Sequence, residues 1–224
     1  MKIDKRKSYY LIVDTETANT LEDALFYDMG IAVIDKKGNV YESYSFINND
    51  IFLDEKDLMT SAYYANKIPQ YYIDLWNGNR TPSTTFGIRS KIYELCEKYD
   101  IKAIMAHNAL FDLKACNTTL RYLTKSKYRY FFPYGIPIWD TLKMARSVIA
   151  KMPTYESFCD TYGYYGKNNQ KKLTAEILYR FISADLEFEE SHTGLEDVMI
   201  EKEIFSYCVR QHKAMKKELF SKKS

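Results

Sequence analysis

The chain has 224 residues, 46% of them hydrophobic and 28% charged, with a formal net charge of +2. That balance reads as one soluble globular domain with a substantial core, and it confines any nucleic-acid footprint to local basic patches. No apolar run approaches the roughly 18 residues of a membrane span, so the expectation is a cytoplasmic protein with no membrane partner. Four widely spaced cysteines, Cys96, Cys116, Cys159 and Cys208, form no C-x-x-C pair, which argues for reduced thiols and against structural zinc.

The first third reads as strands. "YYLIVDTET" predicts a strand over Tyr9–Thr15, and "DMGIAVIDKKGNVYESYSFI" a hairpin with arms over Gly30–Asp35 and Val40–Ile47 around the turn Lys37-Gly38-Asn39. Helical patterns follow. One covers Asp54–Tyr64. A second opens at Pro82-Ser83 and runs to Tyr99, with Ile88, Ile92, Leu95 and Cys96 on one face. "IKAIMAHN" predicts a short strand over Ile101–Asn108, and Leu110–Leu123 a helix. "IPIWDT" is a further strand, and Asp140 caps a helix over Thr141–Ile149. Helices over Tyr155–Tyr162, Leu173–Ile182 and His192–Lys213 close the chain, with Tyr164–Lys172 as a surface loop. The pattern predicts a single α/β domain over residues 1–224, built on a mixed five-stranded sheet whose first three strands are antiparallel.

Three acidic stretches carry chemistry. Asp14 and Glu16 end an apolar strand one residue apart, so they share a face. Two carboxylates held together repel unless a proton or a cation intervenes, and a hard divalent ion prefers such oxygens. The plain alternative is a strand end reaching solvent. In "AHNALFDLKA", Asp112 falls in the first turn of a helix, where the dipole favours an acid, and His107 and Asn108 lie at the strand end, where α/β sheets bind ligands. In "EESHTGLEDVMIEKE", Ser191 is a plausible cap. His192 and Asp197 share a broad face only if His192 lies just outside the helix. Alone, His192 also fits a helix-end histidine and Asp197 a solvated acid.

Taken in order, "VDTET", "AHNALFD" and "HTGLED" resemble the motifs of the DnaQ-like 3′–5′ exonucleases of the DEDDh type, whose fold is ribonuclease H-like, and "IWDTLKMAR" resembles the segment between their second and third motifs. The resemblance runs from about Ser8 to Arg210. It implies that Asp14, Glu16, Asp112 and Asp197 hold two Mg²⁺ or Mn²⁺ ions and that His192 is the general base. Thr15, Thr17, His107 and Asn108 fall where the family's chain meets substrate. It also implies 3′ ends of single-stranded DNA, with RNA second, as substrate, and a polymerase or replication complex as a further partner. The alternative is a nucleic-acid-binding or proofreading module that catalyses little by itself. Tyr63, Tyr64 and Lys67, and the basic run Arg121–Tyr130, are candidate single-strand contacts.

Two positions depart from the family pattern. Ala18-Asn19 stand where Thr-Gly often follows the first motif, and Asn19 can preserve the turn because asparagine tolerates a left-handed backbone. Gly194 stands where alanine is frequent, and it keeps close packing available.

Overall fold

The computed structural model describes residues 3–127 and 129–220 of the chain. Among these, six strands form one mixed sheet. β1 (Tyr9–Ala18), β2 (Leu25–Asp35) and β3 (Val40–Asn48) are long, whereas β4 (Thr81–Ser83), β5 (Ile104–Ala106) and β6 (Ile138–Asp140) have three residues each. Their order across the sheet is β4-β3-β2-β1-β5-β6. The first three strands are antiparallel neighbours, and β4 and β5 run parallel to β3 and β1.

The helices follow from the strand ends. α1 (Asn49–Phe52), α2 (Lys56–Met59) and α3 (Ile68–Trp76) lie between β3 and β4. α4 (Thr85–Tyr99) follows β4, and α5 (Leu110–Thr124) follows β5. α6 (Thr141–Ser147), α7 (Pro153–Tyr162), α8 (Ala175–Ser183) and α9 (Gly194–Arg210) follow β6. β1 and β2 read as apolar runs because both their faces are covered. Leu11, Val13 and Ile31 pack with Ile88, Ile92 and Leu120 of α4 and α5 on one face. Ile12, Ala32 and Ile34 pack with Val198, Ile204 and Phe205 of α9 on the other. A third cluster joins Ala18, Leu25 and Tyr27 to Phe52 and Tyr71 beyond the sheet's end.

Several expectations are corrected. The sheet has a sixth strand, because Thr81–Ser83 pairs with Phe46–Asn48 instead of opening a helix. The helix then starts at Thr85, and the Thr84 hydroxyl accepts the Gly87 N–H at 3.1 Å. The single helix expected over Asp54–Tyr64 is only the short α2, and a helix not anticipated, α3, begins with Ile68-Pro69. The strand expected over Ile101–Asn108 is only Ile104–Ala106. The Asp140 cap is present: its carboxylate accepts the N–H groups of Leu142 and Lys143. Beyond α9, Leu219 N–H donates to Ile138 O at 2.9 Å and Asp140 N–H to Lys217 O at 2.8 Å, so the tail covers the exposed edge of β6. All four cysteines are buried and unpaired. Among the described residues, no helix is long and apolar enough to cross a membrane.

Candidate active site

Alternation along β1 sends Thr15 toward α5 and sends Asp14 and Glu16 toward α9. Glu16 pairs with Asp28 and Thr17 with Phe26, so Tyr27 is the extra residue of a β-bulge beside the acids. Bulges of this kind re-aim side chains next to functional sites. Opposite the strand, Asp197 sits in the first turn of α9. Ligand oxygens of Asp14, Glu16 and Asp197 all lie within 4.8 Å of one another.

That convergence depends on how closely α9 approaches the sheet. A Cβ on Gly194 would lie 2.4 Å from the Gly30 nitrogen, and a Cβ on Gly30 would lie 2.1 Å from the Gly194 carbonyl carbon. The two backbones touch, and no other residue fits at either position without a shift. Gly194 is therefore required by this crossing. Gly194 N–H also donates to Asp28 Oδ2 at 3.0 Å, which fixes the start of the helix.

Asp112, buried in the first turn of α5, stands on the Thr15 side. The Thr15 hydroxyl donates to its Oδ1 at 2.8 Å. It does not belong to the close triad, but its charge raises Asp14. Thr15 is thereby committed to orienting an acid.

Burial dominates the electrostatics. It pushes the Glu16 carboxyl up to about 9, with Asp197 and Asp28 pushing the same way. Asp197 rises to about 8 through burial and then the charge of Glu190, and Asp112 to about 7 through burial, against the pull of the Thr15 hydroxyl. Asp14 is held well above the usual range by burial and by Glu201, Asp112 and Asp197. Asp197 Oδ1 is buried and finds no hydrogen-bond partner. Buried oxygens that repel one another, one of them unpaired, fit a hard divalent cation such as Mg²⁺ or Mn²⁺.

His192 lies outside α9, in a left-handed conformation with φ 50°. A non-glycine residue held there is strained, a common property of working sites. Its ring stacks on Tyr64, with centroids 4.4 Å apart and planes 11° from parallel, and the Lys67 ammonium lies 5.5 Å from the Tyr64 ring centre. His192, Glu190 and Asp197 form a second group with ligand atoms within 4.8 Å. Burial, then the Lys67 charge, lowers the His192 pKa below its ordinary value. Ser191 does not cap the helix; its hydroxyl meets that of Thr193 at 3.0 Å.

The remaining expected contacts divide. His107 is engaged within the protein at both ring nitrogens, with the Thr141 hydroxyl and the Leu173 carbonyl each at 2.9 Å. It anchors the strand end and has no ring N–H left for substrate. Asn108 is exposed and left-handed, with φ 63° and its backbone N–H on Asp140. Thr17 is buried, and its carbonyl accepts the Tyr63 N–H at 3.4 Å. Ala18 is fully buried, and Asn19 takes the left-handed turn at φ 75°.

Sequence reasoning missed Glu190, Glu201 and Arg80. Glu190 was in plain view in "EESH". Glu201 follows Asp197 by four residues, the helical spacing that stacks side chains, and this signal could have found it. Arg80 is buried and bonds to Asp28, Asp74 and Ser45, so its place depends on contacts distant in sequence.

A second surface lies between α4 and the segment that follows α5. Arg89, Arg129, Tyr130 and Tyr134 line a groove with no acid among its described residues. The Arg89 guanidinium lies 4.3 Å from the Tyr93 ring centre, and that of Arg121 lies 5.3 Å from the Tyr130 ring centre. The groove includes part of the basic run expected from the sequence; Tyr128 in that run lies outside the described residues.

The sequence matches no protein-family model and no curated protein. Among solved structures, the chain is similar to E. coli exonuclease I in its zinc-bound complex with single-stranded DNA, at 14% identity and a TM-score of 0.50. It is also similar to E. coli exonuclease I in complex with a 5cy-dT13 oligonucleotide, at 12% identity and a TM-score of 0.54. Each alignment covers 92% of this chain and 41% of the other, so this chain spans less than half the length of the protein it matches. At such identities the likeness is one of fold.

Proposed function

We propose that this chain is a metal-dependent 3′–5′ exonuclease that hydrolyses single-stranded nucleic acid from its 3′ end, with DNA preferred over RNA. One observation carries the reading: Asp14, Glu16 and Asp197 converge as a buried triad with an unpaired oxygen, beside a histidine held in a strained backbone conformation. The fold shared with exonuclease I, solved with single-stranded DNA, supports it.

In this reading Asp14, Glu16, Asp197 and Asp112 hold two Mg²⁺ or Mn²⁺ ions. Bound there, the ions supply Lewis-acid stabilisation of the charge that builds on the phosphate and the leaving 3′ oxygen. The chain's own groups do the rest. His192 is neutral near pH 7 because burial and Lys67 lower its pKa, so it can accept the proton of the attacking water. Stacking on Tyr64 holds the plane of its ring. Asn108, exposed at the end of β5, is the expected second-motif residue still free to meet substrate.

The groove supplies a path for the strand. Asp112 and the groove residue Leu120 lie on the same helix, about 12 Å apart along its axis at the usual rise per residue. Aromatic rings stack on bases without regard to sequence, and arginines meet the backbone phosphates. Such a surface suits a single strand leading away from the site.

The test is degradation of 5′-labelled single-stranded DNA and RNA with Mg²⁺ or Mn²⁺. A ladder of products shortened from the 3′ end is expected, faster on DNA. No shortening of either substrate with either metal would sink the proposal. Tight single-strand binding without turnover would instead favour a binding or proofreading module.

A further inference from the structure

α9 carries a second buried acid that the four-carboxylate set does not use. Glu201 stands one turn beyond Asp197, so both side chains project from the same side of the helix. It is 2% exposed. Its Oε1 accepts the backbone N–H of His107 at 3.0 Å, which fixes the direction of the carboxylate, while its Oε2 is buried and meets no hydrogen-bond partner. Among the described residues no cation is bonded to it, whereas Asp28, equally buried, is paired with Arg80. Its charge acts on the candidate site. Among nearby charges, Glu201 contributes most to raising Asp14, and Asp112 contributes most to raising Glu201. A buried carboxylate left half-satisfied among other acids is unfavourable unless an external group supplies positive charge.

The close triad of Asp14, Glu16 and Asp197 leaves out both Asp112, whose oxygen is turned to Thr15, and Glu201, whose Oε1 is turned to the His107 N–H. We propose that Glu201 is a fifth carboxylate of the metal centre, its unpaired oxygen serving the cation on the Asp14–Asp112 side. This inference rests on the metal-dependent reading above. It assigns to the chain a centre of five acids, three of them on β1 and α5 and two on α9.

Glu201→Gln separates this role from a structural one. Glutamine has the same shape and can still accept the His107 N–H, but it carries no charge. Mn²⁺ titration of the full chain, read as free Mn²⁺ by electron paramagnetic resonance, should give two sites in the native protein. In Glu201→Gln one site should persist and the other weaken about ten- to a hundredfold. Glu201→Asp, which keeps the charge, should retain both ions more tightly than the glutamine variant. Urea unfolding in EDTA should show Glu201→Gln at least as stable as the native chain, because a buried unpaired acid is gone. Native affinity for both ions in Glu201→Gln would overturn the inference and leave the proposed function standing. No Mn²⁺ binding by the native chain would overturn both.

Discussion

Glu16 and Asp28 face each other across the β1–β2 register, and both are buried, yet their surroundings are opposite. Asp28 accepts hydrogen bonds from the Tyr71 hydroxyl at 2.8 Å, from Arg80 at 3.2 Å and from Gly194 N–H at 3.0 Å. Glu16 is surrounded instead by Asp14 and Asp197. One acid is neutralised from within and holds four elements together, since Arg80 also reaches Asp74 of α3, Ser45 of β3 and Glu196 of α9. The other is left in a pocket whose positive charge must come from outside. Two acids one strand apart thus separate architecture from chemistry, and the criterion is whether the chain supplies the counter-charge.

Each kind of acid can be tested in turn. On the unneutralised side, Asp14→Asn should reduce hydrolysis by about four orders of magnitude, since ion-mediated charge stabilisation amounts to several kcal/mol. The same variant should raise the melting temperature in EDTA, because it removes a repelled buried acid; a drop in stability with activity intact would contradict the contrast. On the neutralised side, Arg80→Met should cost about 3–5 kcal/mol in urea unfolding, as expected when one partner of a buried ion pair is removed. Stability unchanged in Arg80→Met would show that Asp28 does not need its partner.

His192→Ala tests the chemistry without touching either acid. The turnover rate should fall about 10²- to 10⁴-fold with little change in KM, and the acid limb of the pH–rate profile should disappear. A change confined to KM would point to substrate binding instead. Stability against pH tests the buried acids together. Glu16, Asp197 and Asp112 rise to about 9, 8 and 7, above their ordinary range, so the folded chain holds protons that the unfolded chain has released. Without metal, stability should therefore fall as pH rises from about 5 to 9. Saturating Mn²⁺ should flatten that slope, because metal displaces the same protons and binds more tightly as pH rises. Melting curves in EDTA and in Mn²⁺ at several pH values check both signs.

Much of this architecture was legible in the chain. Apolar runs marked β1 and the hairpin, side-chain alternation placed Asp14 and Glu16 on one face, and Asp140 and Asn19 behaved as cap and left-handed turn for local reasons. The misses have a common cause in distant partners. β4 is extended because Phe46–Asn48 pairs with it, and Pro82 within it resembled a helix opening. Glu201 was passed over despite its helical spacing from Asp197, and its burial depends on the His107 backbone, distant in sequence. His107 looked like a ligand-facing histidine until Thr141 and Leu173 took both its nitrogens.

The contact between Gly30 and Gly194 sets the tolerance of the whole centre. Between most packed elements side chains act as compliant spacers that can re-rotamer to absorb a change. Here main chain rests on main chain, so the separation of the strand's acids from the helix's acid is set by a hard stop. The two positions are thereby coupled as sequences diverge: neither can gain a methyl group alone without moving the helix and widening the gap between the acids. A chain that carries alanine at one of them must seat this helix differently, and the spacing of its acids must be re-established by other means.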